Sequence, residues 1–245
     1  MSAIVSPVLP LLDESQPLPP RYAGLPLPLD LPFALKPVSS ADTGVETLAD
    51  GRMKYWIRHD IVRGVTPAML SWWFRNLEGW IEFGGRRYNR YRFWHPQDHV
   101  HASYARRLPD GSIGPGAEIR LIEVLGRNEK FVVDTVTHIE RLDEGGFIHN
   151  PEVFGRTGVA RMEYTFEPVP DGTLYENCLI IGTSLPVLRF ANPLLARLAF
   201  DDAHGRAWLR HNMLSSEARN PQMTSIVVMR PEGKKEKKTN PPAKK

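Results

Sequence analysis

Residues 117–146 read Ala-Glu-Ile-Arg-Leu-Ile-Glu-Val-Leu-Gly-Arg-Asn-Glu-Lys-Phe-Val-Val-Asp-Thr-Val-Thr-His-Ile-Glu-Arg-Leu-Asp-Glu-Gly-Gly. Two β-prone runs, 117–125 and 130–141, are separated by Gly126-Arg-Asn and closed by Asp143-Glu-Gly-Gly, both turn signals. Gaps this short join antiparallel neighbours, because a parallel crossover needs a dozen residues or more. The same rhythm continues in 158–167 and 173–182, split by Pro170-Asp-Gly. Upstream, Met53 to Val62 and Tyr88 to Trp94 also read as strands. Between them Thr66-Pro67 is an N-cap followed by proline at the first helical position. It opens a short helix with Met69, Trp73 and Leu77 on one face. After Pro186 the period changes, and Asn192-Pro193 starts a long helix running to about Ala218, with Gly205 as a weak point. This order predicts an α+β fold: a curved antiparallel sheet gripping one long C-terminal helix, with a cavity between them.

The ends of the chain differ in composition from its middle. Residues 1–50 include Pro-Pro at 19–20 and Leu-Pro-Leu-Pro-Leu from Leu25 to Leu29. Proline fixes φ and removes amide donors, so this stretch reads as an extended arm whose leucines lie on the domain or on a partner, for example in a homodimer. Residues 51–232 form the expected globular domain. Residues 233–245 form a Lys-rich tail that reads as disordered. Of the formal charge of +3, residues 234–245 carry six Lys against one Glu, which leaves the rest at −2. No nucleic-acid motif accompanies the tail, so nucleic acid is not the expected partner. No apolar run approaches the ~20 residues needed to span a bilayer. The N-terminal residues lack the basic start of a signal peptide, and the single Cys178 leaves no disulfide framework. A reducing, cytoplasmic location is the expectation.

The chemistry concentrates in Tyr91-Arg-Phe-Trp-His95-Pro-Gln-Asp98-His99-Val-His101. Imidazole is the commonest ligand of zinc-like metals and the side chain best poised for proton transfer near neutral pH. If Val100 is extended, His99 and His101 point to the same side. Asp98 either orients an imidazole or caps a turn. Alternation along Glu118–Leu125 puts Ile119, Leu121 and Glu123 on one face, where a carboxylate is costly to bury without a partner. In the C-terminal helix, 100° per residue aligns His204, Trp208, His211 and Ser215 on one stripe that Asp201 extends. The G-x-S-x-G elbow, Walker loop, dinucleotide glycine fingerprint and H-E-x-x-H are all missing from the sequence. Cys178 sits in an apolar strand and reads as packing.

Taken together, Gly64-Val-Thr-Pro-Ala-Met-Leu-Ser-Trp-Trp-Phe74, the Tyr91–His99 segment, Ile119-Arg-Leu-Ile-Glu123 and His204-Gly-Arg-Ala-Trp-Leu-Arg-His211-Asn resemble the 2,4-diacetylphloroglucinol hydrolase family. The resemblance spans roughly 52–219 and implies a Bet v 1-like helix-grip fold. It further implies a metal-dependent hydrolase that cleaves a carbon–carbon bond of an acylated phenol or polyketide-like aromatic. By the same resemblance one zinc per chain falls to His99, Glu123 and His211, and Tyr91 holds the phenol. The family's fourth ligand, a glutamate one turn beyond the helix histidine, has no counterpart, since Ser215 stands there and Glu217 lies about 240° around the helix. Three protein ligands and an open position still describe a catalytic zinc centre. His204 and Asp201 are alternative fourth ligands, and loss of the metal is a third possibility. On this reading His95 or His101 carries a proton to carbon, and Trp72, Trp73 and Trp208 line the cavity. Two other functions fit the same cavity: a cyclase or isomerase of secondary metabolism, and a non-catalytic binder of an aromatic metabolite.

Overall fold

The computed structural model describes residues 27–31, 38–200 and 202–213. The rest of the arm, the Lys-rich tail, Asp201, Ser215 and Glu217 lie outside the described residues. Eleven strands occur among them: β1 (Ala41–Thr47), β2 (Met53–His59), β3 (Val62–Arg63), β4 (Trp80–Phe83), β5 (Arg86–Asn89), β6 (His99–Arg106), β7 (Glu118–Val124), β8 (Val132–Asp143), β9 (Gly146–Pro151), β10 (Ala160–Val169) and β11 (Gly172–Ile181). The helices are α1 (Pro67–Arg75), α2 (Arg90–Trp94), α3 (Asn192–Ala199) and α4 (Asp202–Met213). One antiparallel sheet runs in the order β1-β2-β11-β10-β9-β8-β7-β6, with β3 also paired to β11, while β4 and β5 form a separate hairpin. From β6 to β11 each strand pairs with the next in sequence, which is the meander read from the turn signals.

Helix α4 packs against β2 and buries Ala207, Trp208, Leu209 and His211. The α+β helix-grip expectation is met by this arrangement. Gly205 is required by close approach: a Cβ there would meet the Tyr55 ring at 2.3 Å. Two apolar clusters flank the cavity. One joins Trp73 and Phe74 of α1, and Leu77 just past its end, to Trp94, Phe147 and Phe166. The other joins Tyr55, Met162 and Leu179 of the sheet to Ala207 and Trp208 of α4. Thr66 caps α1 as expected, its hydroxyl accepting from the Met69 amide.

Several boundaries differ from the sequence reading. The sheet begins inside the stretch assigned to the arm, because Ala41–Thr47 pairs along its length with β2. Leu29 and Leu31 pack on the first cluster, and the Leu29 amide donates to the Pro96 carbonyl at 2.9 Å. The expected strand Tyr88–Trp94 is instead the end of β5 followed by α2. Asn89 ends the strand by accepting from the Arg92 amide at 3.1 Å, an N-cap that starts a helical turn. His95 then returns to extended geometry, as a residue before proline must. The expected single helix 192–218 is two helices. Phe200 leaves helical geometry between them, and its ring packs edge-on against Tyr55 at 5.6 Å.

Candidate metal centre and cavity

The start of β6, the end of β7 and the last turn of α4 converge on one wall of a cavity of about 300 Å³. His99 and Glu123 are direct cross-strand partners in the β6–β7 register. His211 reaches them from the helix. One ligand atom from each of His99, Glu123 and His211 lies within 4.8 Å of the other two. His99 Nε2 is 3.6 Å from Glu123 Oε1, and His211 Nε2 is 3.8 Å from Glu123 Oε2.

The outer nitrogens decide what these inner atoms present. His99 Nδ1 lies 2.8 Å from the Tyr91 carbonyl, which only accepts, so Nδ1 carries the proton. His211 Nδ1 lies 2.9 Å from Asp98 Oδ2, again an acceptor. Burial pushes the Asp98 carboxyl up, but the His95 and His211 imidazoles and the Gly126 amide more than offset it and hold it at about 2. Burial, reinforced by the neighbouring imidazoles, pushes His99 well below the usual histidine range, so its ring is neutral. Two imidazole lone pairs and a carboxylate therefore point at one centre, at separations too long for hydrogen bonds between them. Three acceptors facing one another can hold a cation. The donor set fits a divalent ion bound by two imidazoles and one carboxylate, with each imidazole oriented through its outer nitrogen.

Tyr91 completes the centre. Its hydroxyl donates to Glu123 Oε1 and its ring stacks on His99 at 3.8 Å. Burial and the adjacent carboxylate push its pKa well above 10, so the proton stays on the phenol.

Ile119, Leu121 and Glu123 all line the cavity, as alternation predicts, and so do His204, Trp208 and His211 of the helical stripe. Other residues sit elsewhere than the sequence reading placed them. His101 is exposed, because a β-bulge between His99 and His101 places two residues opposite one and breaks the alternation. His95 is fully buried behind the centre, outside the cavity lining. Its Nδ1 accepts from the Asp98 amide at 3.1 Å and its Nε2 donates to the His211 carbonyl at 3.0 Å, so both nitrogens are engaged. It props up the centre and does not face the cavity. Trp73 is packed in the core against Trp94 at 5.2 Å, and neither it nor Trp72 lines the cavity; Trp94 does.

One residue escaped the sequence reading. His149 is buried in the cavity wall, its ring beside those of Phe147 at 4.6 Å and Tyr164 at 5.9 Å and its Nδ1 held by the Thr137 hydroxyl. Burial pushes it down to about 3. The signal was the alternation Phe147-Ile148-His149, hidden because the short β9 follows two glycines that read as a turn. Cys178 is a buried free thiol, pushed up to about 11 by burial, as expected of a packing residue.

Fold and site together define a helix-grip protein whose internal cavity carries a metal-type donor cluster. Residues 34–146 match the family model of the DAPG hydrolase PhiG domain, so the resemblance carried by the motifs is shown over that stretch. The match includes Tyr91, His99 and Glu123 and stops short of His211. No curated protein matches the chain. Among solved structures, a START superfamily protein from Mycobacterium smegmatis is similar at 15% identity and a TM-score of 0.38, over 66% of this chain and 96% of that one. CalU16 from Micromonospora echinospora is similar at 14% identity and a TM-score of 0.38, over 76% of this chain and 90% of that one. Among the described residues no helix is long and apolar enough to cross a membrane.

Proposed function

We propose that this protein is a zinc-dependent hydrolase of an acylated phenol or a related polyketide-like aromatic, cleaving the bond between acyl carbon and ring. The observation that carries the reading is the convergence of the His99 and His211 lone pairs with the Glu123 carboxylate on the cavity wall. When bound, the ion supplies Lewis-acid polarisation of a carbonyl and a water acidified towards ~7.

The chain's own residues supply the rest. Phe74, Phe147 and Tyr164 on one side and Trp208 on the other bind a flat ring in the cavity. Tyr91 has committed its proton to Glu123, so it serves a substrate phenol as an acceptor. That contact orients the ring against the metal centre. Cleavage leaves the ring carbon as a carbanion that must be delocalised onto a phenol oxygen and then protonated. The proton that the ring carbon takes up is the one that the attacking water gives up, so the cleavage balances as acyl acid plus free phenol. His149, neutral in the apolar wall with its Nδ1 held by the Thr137 hydroxyl, does not supply that proton in place of His95 or His101 but offers a fixed polar contact to the ring.

Elemental analysis of the purified, untagged full chain tests the reading first. About one zinc per chain, rather than iron or manganese, and its loss in His211→Ala support it. Release of a carboxylic acid from an acylphenol then separates hydrolysis from cyclisation or simple binding. Failure to take up any divalent metal overturns it.

A further inference from the structure

The segment 183–200, Thr-Ser-Leu-Pro-Val-Leu-Arg-Phe-Ala-Asn-Pro-Leu-Leu-Ala-Arg-Leu-Ala-Phe, is held firmly yet presents its apolar side chains to solvent. Leu185, Val187, Leu188, Phe190, Leu194 and Leu198 are all exposed, Val187 by 77% and Phe190 by 84%. Scattered single apolar residues are normal on a surface, but six within fourteen positions mark an interaction site. The ridge is not loose. Asn192 is fully buried beneath it, accepting from the Thr183 amide at 2.7 Å and donating to the Thr183 and Asp50 carbonyls at 3.0 and 2.9 Å. Ala196 anchors the inner face of α3 in the second apolar cluster.

Charge decides between occupants. The segment holds Arg189 and Arg197, both exposed, and no Asp or Glu. The nearby carboxylate that senses Arg189, Asp50, is already bound by Arg52 at 2.9 Å. A second copy docked ridge to ridge about a two-fold axis would bring these arginines towards their own equivalents with no acidic residue of the segment between them. An apolar strip flanked by cations instead matches an anionic bilayer: leucine and phenylalanine enter the acyl boundary and arginine snorkels to the headgroups. The chain's last twelve residues add six Lys, a second basic element of the kind that strengthens weak apolar anchoring. Phe200, at the end of the segment, lines the cavity, so the ridge borders the site.

We propose that residues 185–198 dock this protein reversibly onto an anionic phospholipid surface. This inference is independent of the reaction catalysed. The test is flotation of the full chain with vesicles of phosphatidylcholine alone, and with phosphatidylglycerol added at about one part in three, where a basic ridge should sense the surface potential. Binding to the anionic vesicles should exceed binding to the neutral ones by about tenfold and collapse at about 1 M salt, where the Debye length is ~3 Å. The pair Phe190→Ser with Leu194→Ser, and separately Arg189→Glu with Arg197→Glu, should each lower it about tenfold or more. Both pairs are on the surface, and an unchanged melting curve checks that the fold is kept. Three results overturn the proposal: no preference for anionic vesicles, undiminished binding by both variants, or a wild-type dimer that the serine pair converts to a monomer.

Discussion

His211 donates from Nδ1 to Asp98 Oδ2 at 2.9 Å, joining α4 to the loop before β6 across 113 residues of sequence. The same carboxylate oxygen accepts from the Gly126 amide at 2.9 Å, which ties in the turn after β7. One aspartate thus fixes the tautomer of His211 and the relative position of all three elements that carry the donor cluster. Asp98→Asn can still accept, but loses the charge that favours a donating imidazole. We expect metal affinity to fall about 10- to 100-fold, the usual cost of losing such an orienting partner, with the fold retained. Competition with a chelator of known affinity measures this, and an unchanged dissociation constant would contradict the role.

His99→Ala removes a donor outright and leaves Glu123 facing a single imidazole. The expected outcome is loss of bound metal and a fall in hydrolysis of at least ~10³-fold, since both the polarised carbonyl and the activated water depend on the ion. His101→Ala, which alters an exposed residue, should change neither metal content nor rate by more than about twofold. Comparing the two variants tests the β-bulge assignment directly.

Tyr91→Phe keeps the stacked ring over His99 and removes only the hydroxyl bound to Glu123. Zinc should remain at one per chain, while kcat/KM on an acylphenol falls about 10- to 100-fold. Metal analysis and kinetics on the same preparation separate the two effects. Loss of the metal itself would show that the phenol maintains the centre and does not orient substrate.

Stability should depend on pH through His149. Burial holds this imidazole at about 3, against 6.5 for an ordinary histidine. Between those values the unfolded chain binds a proton here and the folded chain does not, so stability rises with pH across the window. The contribution is fully present above about pH 6.5 and is lost progressively as pH falls towards 3. His149→Gln, which retains a partner for Thr137 but does not titrate, should flatten this part of the profile. Urea midpoints measured from pH 7 down to pH 4 make the comparison, and parallel profiles for the two proteins would rule the assignment out.

Gly205→Ala opposes two effects of known sign. Alanine favours the helix by about 1 kcal/mol. Its Cβ, however, meets Tyr55 at 2.3 Å, and overpacking of this kind costs about 1–3 kcal/mol. The expected net result is a destabilised protein, read as a lower urea midpoint. Combining it with Tyr55→Leu, which removes the clashing ring atoms, should make the alanine neutral or favourable.

The sequence by itself determined what is periodic and local. Turn signals at Gly126, Asp143 and Pro170 delimit the strands of the meander. Alternation put Ile119, Leu121 and Glu123 on one face, and the helical period put His204, Trp208 and His211 on one stripe; all six line the cavity. These readings hold because side-chain direction within an element follows from backbone geometry alone. Only the tertiary structure chose among the three histidines of the Tyr91–His101 segment. An N-cap at Asn89 turned an expected strand into a helix, and a bulge after His99 reversed the direction of His101. His95 was spent on the Asp98 amide and the His211 carbonyl, one of them 116 residues away. His149 entered the cavity through a strand pairing that its flanking glycines conceal. Caps, bulges and long-range hydrogen bonds depend on groups distant in the chain, so the pattern of any one segment cannot specify them. They decided which imidazoles face the centre and which support it.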